Sequence, residues 1–445
     1  MIIYQMLPRL WGEGKFSSVD IQTLDYLKSL GTSHLWLTGI PRHATGKDFV
    51  KGSAGSPYAI SDYYDVNPYM ADDPDGRMSE FESLVDRVHG AGLKLIIDFV
   101  PNHISKEYEG TIEIPHFDYC DYDWTDTLKI NYDAEGTWDK MLDIILFWAG
   151  KGVDGFRCDM VEMVSPEFMR WLIKGAKEKF PQLIFIAEVY HKESYRHYVQ
   201  HVGFDYLYDK SGLYDILRNI VVKNVNDPQG WTELWQSTKN ITWNWQSLGD
   251  IQSHMLNFLE NHDEQRFASK DFGKSIANEF APLIVSMLFN KAPFLIYFGQ
   301  EIGVNASESN NGRTTIFDFA HIDALDRLYY FAHSSDGLTV NESAFFDKFS
   351  FYSRMAASSL KTEGLVYDLC YCNEGSAGFD PGRHFVFLRH FGDETILFYC
   401  NFSAFPAESK VHIPHHAFEI FGMPDAGERC IDVSAEAYDC SIIKL

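Results

Sequence analysis

The sequence predicts an α/β fold: a closed (β/α)8 barrel with a short insert after its third strand, followed by a separate antiparallel β-sandwich domain. Three observations predict it. Short apolar runs alternate with longer segments of helical period across about 360 residues, and strictly alternating β and α units build a parallel sheet. Eight such units point to a closed barrel, and no Gly-x-Gly-x-x-Gly follows any of the runs to favour an open doubly wound sheet. After about residue 362 the pattern changes to short alternating stretches, as in an all-β domain.

In chain order, Ile2–Leu7 reads as the first strand and Val19–Leu30 as a helix, with apolar residues at 21, 24, 27 and 30 and Gly31 closing it. His34–Leu37 is the second strand. Met78–His89 is a helix ended by Gly90 and Gly92, and Lys94–Val100 is the third strand. Residues 103–135, rich in Asp, Tyr and Glu, are too long for an ordinary loop and predict a small excursion that walls a cleft. Trp138–Ala149 is a helix, and the fourth strand opens after Gly152 and runs over 153–158. Glu167–Lys179 is a helix, and Leu183–Ala187 is the fifth strand. Phe204–Tyr208, His254–Leu259 and Pro293–Phe298 complete the barrel, with helical segments near 211–238 and 275–290. The expected division is barrel over 1–102 and 136–362, insert over 103–135, and β domain over 363–445. In the last of these, His384–Arg389, Thr395–Asn401, Lys410–Ile413 and Cys440–Leu445 read as strands.

Composition narrows the function. The chain of 445 residues carries 38 Lys and Arg against 63 Asp and Glu, a net charge of −25. That balance argues against DNA, RNA or an anionic membrane as partner, since no positive excess exists to displace counterions. It suits a neutral ligand. Aromatic residues make up 15% of the chain, enough to fill a core and to offer stacking platforms. The seven cysteines are odd in number, lie mostly in apolar runs and include no Cys-x-x-Cys pair, so buried reduced thiols are expected. No apolar run approaches 18 residues and no leader-like segment opens the chain, which points to a cytoplasmic protein.

Catalytic groups of such barrels come from the C-terminal ends of the strands. The third strand ends Asp98-Phe-Val-Pro-Asn-His103 and the fourth ends Arg157-Cys-Asp159. The fifth ends Ala187-Glu188, the seventh Asn257-Phe-Leu-Glu-Asn-His-Asp263, and the eighth Phe298-Gly-Gln-Glu-Ile-Gly303. Residues i and i+2 of a strand face the same way, so Arg157 and Asp159 point into one space. A surface salt bridge at a loop entrance would explain that pair alone. It does not explain why carboxylates and histidines collect at one rim. Carboxylates, histidines and an arginine around a cleft suit glycoside hydrolysis, in which one carboxylate attacks the anomeric carbon and a protonated one donates to the leaving oxygen. Crowding by other carboxylates is expected to raise the pKa of that donor.

These segments resemble the signature regions of the α-amylase family of glycoside hydrolases (glycoside hydrolase family 13). Asp98–His103 resembles the first region, Gly155-Phe-Arg-Cys-Asp159 the second, Glu188 the third, and Phe258-Leu-Glu-Asn-His-Asp263 the fourth. Gly55–Pro68 and Tyr297–Gly303 resemble two auxiliary regions. The resemblance spans the whole chain and implies a TIM barrel with an inserted B domain and a C-terminal β domain. It implies Asp159 as nucleophile, Glu188 as general acid/base and Asp263 as transition-state stabiliser. Arg157 would keep Asp159 ionised, His103 and His262 would hydrogen-bond the sugar, Tyr58 would stack on it, and Asp98 would support the site. The implied substrate is an α-glucan or maltooligosaccharide, and the implied activity a retaining hydrolase. A transglycosylase or isomerase on the same site, or a non-catalytic scaffold, is the alternative; the survival of all three carboxylates disfavours the scaffold.

The chain also departs from the pattern. Where calcium-binding members of the family typically carry His four residues after the nucleophile, Met163 stands here. Glu162 replaces a frequent Lys, and Lys129 takes the Asp place in Thr127-Leu-Lys-Ile-Asn131. A cation competes with calcium and methionine is a poor ligand for a hard ion, so no calcium at the usual sites and no required cofactor are expected.

Overall fold

Strand register brings the rim residues together. The computed structural model describes residues 1–445. Its eight barrel strands are Ile2–Met6, His34–Leu37, Lys94–Phe99, Gly155–Cys158, Ile184–Ala187, Tyr206–Tyr208, Met255–Phe258 and Phe294–Tyr297. Each is hydrogen-bonded in parallel to its sequential neighbours, and the first closes the ring on the eighth. Asp98 lies opposite Arg157, and Cys158 opposite Ala187. The next residues, Asp159 and Glu188, therefore emerge side by side, each still tied to the neighbouring strand through its N–H. Gly155 permits this close approach: a Cβ there would stand 2.4 Å from Ile184 Cγ1.

Helices predicted from apolar spacing form within one or two residues of expectation, as at Ile21–Ser29, Arg77–Gly90, Thr137–Gly150 and Pro166–Lys179. Two are closed by a side-chain N-cap: Asp20 accepts from the Thr23 N–H, and Ser165 from that of Phe168. The helical stretch expected over 211–238 breaks instead. The helix runs only Asp215–Asn226, because Pro228 disfavours helical backbone at Asp227, and the next helix, Lys239–Leu248, begins beyond the expected stretch. A hairpin of Pro41–His43 with Ile60–Val66, between the second strand and the next helix, has no periodic signal long enough to read. The 103–135 excursion holds a small antiparallel pair, His103–Ser105 with Thr127–Lys129. No helix is long and apolar enough to cross a membrane.

The C-terminal part is two antiparallel sheets. One orders Leu365–Asp368, His384–Phe391, Glu394–Asn401 and Cys440–Lys444; the other pairs Ala407–Ile413 with Arg429–Ala435. The alternation in the sequence has a double use. Val386, Leu388, Leu397 and Tyr399 pack on Val411, Ile413 and Val433 of the second sheet. Their neighbours Phe385, Phe387, Ile396 and Phe398 join the core of the barrel. This sheet is thus less separate than its sequence suggests. Buried Arg389 reinforces the seam with bonds of 2.6 to 2.9 Å to the carbonyls of Leu288, Leu360 and Lys361, answering the orphan acceptors at a helix C-terminus. Phe387 stacks on Phe398 at 4.7 Å and meets Phe289 edge-on at 5.3 Å. Phe387→Ala is expected to lower unfolding stability by about 3–5 kcal/mol, read by urea denaturation.

None of the seven cysteines forms a disulfide, and Cys158, Cys400 and Cys440 are buried. Cys430 departs from the expectation of burial. It is exposed because it lies in the outer strand Arg429–Ala435.

Candidate active site

Arg157 is fully buried at the end of the fourth strand and organises everything around it. Its Nη1 donates to Asp159 Oδ1 at 2.6 Å, and its Nη2 pairs with Glu188 Oε2 at 2.7 Å. Asp98 and Asp263 each stand 3.8 Å from the same guanidinium. Nε donates to the Tyr208 hydroxyl at 3.2 Å, and the Tyr58 ring covers one face at 5.2 Å. A planar fork fixes two carboxylates in set directions, where a lysine would offer a point charge on a flexible stem.

The carboxylates around that fork are not equivalent. Burial pushes Glu188 up to about 7; Arg157 opposes this, and the negative charges of Asp159 and Asp263 add to it. The crowding expected from the sequence is therefore present but secondary to desolvation. Glu188 Oε2 also accepts from the Met160 N–H at 2.9 Å, and Oε1 from the Tyr190 hydroxyl at 2.9 Å. Met160 holds that N–H in place with a left-handed φ of 43°, a conformation a non-glycine residue keeps only where its surroundings enforce it. Burial raises Asp159 too, against the pull of its bond to Arg157. Asp263 goes the other way. Burial raises it, but His262, Arg157 and Arg313 together bring it down to about 2. Its side chain is 36% exposed and faces the opening.

Tyr58 and His262 lean on each other, with rings stacked at 5.3 Å and the hydroxyl 2.5 Å from Nε2. His262 Nε2 also lies 3.1 Å from Asp263, and Gln5 holds its Nδ1 at 2.7 Å. His103 packs against Trp124 at 5.2 Å, and burial lowers it to about 4, a neutral imidazole. Asp98 is buried behind Tyr58, whose hydroxyl is 3.4 Å from Oδ1. Of the residues named from the sequence, Tyr58, His103, Asp159, Glu188 and Asp263 line one cleft of about 550 Å³. Arg157 and His262 sit behind it, in contact with Asp159 and Asp263.

Among the lining residues not named from the sequence are Tyr190, Trp124, Lys51 and Arg313. Tyr190 follows Glu188 at strand spacing, so alternation alone could have found it. Trp124 comes from the 103–135 excursion expected to wall a cleft, while Lys51 and Arg313 arrive from distant loops with no local signal. Glu162, read from the sequence only as a departure, accepts from the backbone N–H groups of Tyr190 and His191 at 2.7 and 3.2 Å. It pins the loop that carries Tyr190.

The family signature described as "Alpha amylase, catalytic domain" matches residues 12–126 and 116–354. The chain belongs to the α-amylase family. Among curated relatives, it is 28% identical over 321 residues to alpha-amylase MalA of Haloarcula japonica, covering 68% of this chain and 44% of that one. It is 25% identical over 350 residues to alpha-amylase 3 of Dictyoglomus thermophilum, covering 69% and 65%. The chain thus spans roughly half to two thirds of the length of these relatives. A crystal structure of an alpha-amylase from Lactobacillus plantarum shares the fold, with a TM-score of 0.70 at 21% identity over 100% of this chain and 98% of that one.

The calcium that some α-amylase family members hold between barrel and insert does not suit the residues here. Lys129, which takes the Asp place noted in the sequence, holds its Nζ 2.7 Å from Asn102 Oδ1, 3.1 Å from Asp121 Oδ2 and 3.3 Å from the Met163 carbonyl. An ammonium already receives the oxygens that a calcium ion, which needs six to eight, would have to gather.

Proposed function

We propose that this protein is a retaining glycoside hydrolase that cleaves α-glucosidic bonds, foremost α-1,4, in maltooligosaccharides or starch-type glucans by double displacement. One observation carries the reading: a single buried guanidinium pairs with both Asp159 and Glu188, at 2.6 and 2.7 Å. The shared guanidinium keeps the two carboxyl groups neighbours at the cleft, which supports attack by one and proton donation by the other. Asp159 attacks the anomeric carbon as Glu188 passes its proton to the leaving glycosidic oxygen. Glu188 then takes a proton from water, whose oxygen displaces Asp159 and restores the α anomer. Asp263, ionised across the working range, faces the positive charge that develops on the ring. Tyr58, His103 and His262 bind the sugar. Proton NMR on maltoheptaose tests this: α anomer released first is expected, and β anomer first would overturn it.

A pH dependence follows. Glu188 must carry a proton to act as acid, and its pKa is about 7. The kcat/KM is therefore expected to fall as pH rises through about 7. Glu188→Gln, whose side chain does not titrate, should lack that limb.

The working unit divides as barrel over 1–102 and 136–362, insert over 103–135 and β domain over 363–445, and requires no calcium. Support for the last point is Lys129, whose ammonium links the insert to two barrel loops. A chelator is expected to leave activity and Tm unchanged. Lys129→Met should lower stability by about 1–3 kcal/mol, since it leaves buried acceptors unpaired. Activity lost to the chelator and restored by calcium would refute the proposal.

A further inference from the structure

Three large rings stand exposed around one groove that shares no residue with the cleft. Trp231 is 87% exposed, Tyr371 61% and Trp243 47%. Two adjoining cavities of about 700 and 180 Å³ make up the groove. Trp231 lines the larger, Trp243 and Tyr371 line the smaller, and Lys239 borders both. Barrel helix Lys239–Leu248 forms one bank, and segments 370–374 and 380–383 of the C-terminal part form the other.

These rings are held out, not left loose. Arg383 donates to the Gly230 carbonyl at 2.7 Å and to Thr232 Oγ1 at 3.2 Å, on either side of Trp231. The Thr238 N–H reaches the Gly382 carbonyl at 3.1 Å, and its hydroxyl contacts the carbonyls of Pro381 and His384 at 2.9 Å each. The Tyr371 hydroxyl is tied to that of Tyr367 at 2.5 Å. Large flat faces fixed in water along a groove are prepared to receive a flat ligand without an ordering cost.

Charge selects among ligands with flat faces. Lys239 is paired with Glu374 at 2.8 Å, and Arg383 is committed to the oxygens already named. The groove thus offers aromatic faces, neutral hydrogen-bonding groups and the carboxylate of Asp380, with no spare cation for phosphates. A nucleic acid, whose affinity depends on neutralising its backbone, fits poorly on a chain of net charge −25. A sugar chain fits: the C–H faces of its rings stack on indole and its hydroxyls reach the polar rim.

We propose that this groove is a second carbohydrate-binding site that grips an α-glucan chain away from the cleft. The choice of glucan rests on the reading of the cleft as an α-glucosidase-type centre. Affinity electrophoresis in gels containing soluble starch tests it, using the full chain with Asp159→Ala so that the gel stays intact. Adding Trp231→Ala and Trp243→Ala is expected to weaken retardation about 5-fold or more in Kd. The same two substitutions in the active enzyme should leave turnover of maltotetraose unchanged and reduce turnover of granular starch. Equal retardation of the Asp159→Ala protein with and without the tryptophan substitutions would overturn the proposal. So would a concentration-dependent dimer in sedimentation that those substitutions abolish, since the groove would then belong to a second copy. Loss of maltotetraose turnover in the unsubstituted enzyme would count against the cleft reading alone; the tryptophan-dependent retardation would stand apart from it.

Discussion

Asp159→Ala is expected to lower kcat on maltooligosaccharides by about 10⁴-fold or more, because no other group can form the covalent intermediate. The lost carboxylate lines the cleft, where its side chain is 8% exposed and bonded to Arg157. Its loss also frees one arm of a buried guanidinium that still contacts Glu188. The fold should therefore persist. Steady-state kinetics on maltoheptaose with thermal unfolding as a control would check this. Turnover close to that of the native enzyme would end the double-displacement reading and assign Asp159 to structure.

Arg157→Ala should damage both the fold and the chemistry. Its guanidinium pairs with Asp159 and Glu188, and lies 3.8 Å from Asp98 and Asp263. Removing the charge leaves those carboxylates buried without their counter-ion, a situation that costs about 3–5 kcal/mol. Without the cation, at least one of the buried pair holds its proton to higher pH, so the acidic limb of the activity profile should move upward. Arg157→Lys keeps one positive charge but lacks the rigid fork that holds both carboxylates in fixed directions. It should recover part of the stability and little of the activity. Urea denaturation and kcat/KM against pH separate the two effects, and a native pH profile in Arg157→Lys would contradict the role given to the fork.

The sequence was most legible where structure is local. A strand's two-residue period puts Arg157 and Asp159 on one side, and helical spacing marks most barrel helices to within a residue or two. Pro228 was the exception. One proline outweighed the apolar spacing around it and ended the helix expected over 211–238 at Asn226. The hairpin of Pro41–His43 with Ile60–Val66 and the strand Arg429–Ala435 were illegible because each is defined by its partner, not by its own pattern.

By itself, the sequence determined the barrel and the identity of the groups at its rim, since both follow from periodicity and from residues adjacent along the chain. It also flagged Lys129 and Met163 as unsuited to calcium. Tertiary structure alone decided that one arginine joins Asp159 to Glu188, and that burial more than crowding raises Glu188. It alone placed Trp124 and Arg313 on the cleft and brought Trp231, Trp243 and Tyr371 to adjoining cavities of a second groove. The reason is physical. Desolvation and ion pairing depend on distance in space, and segments more than a hundred residues apart in the chain, such as those of Trp231 and Tyr371, acquire that distance only when the barrel closes and the β domain docks against it.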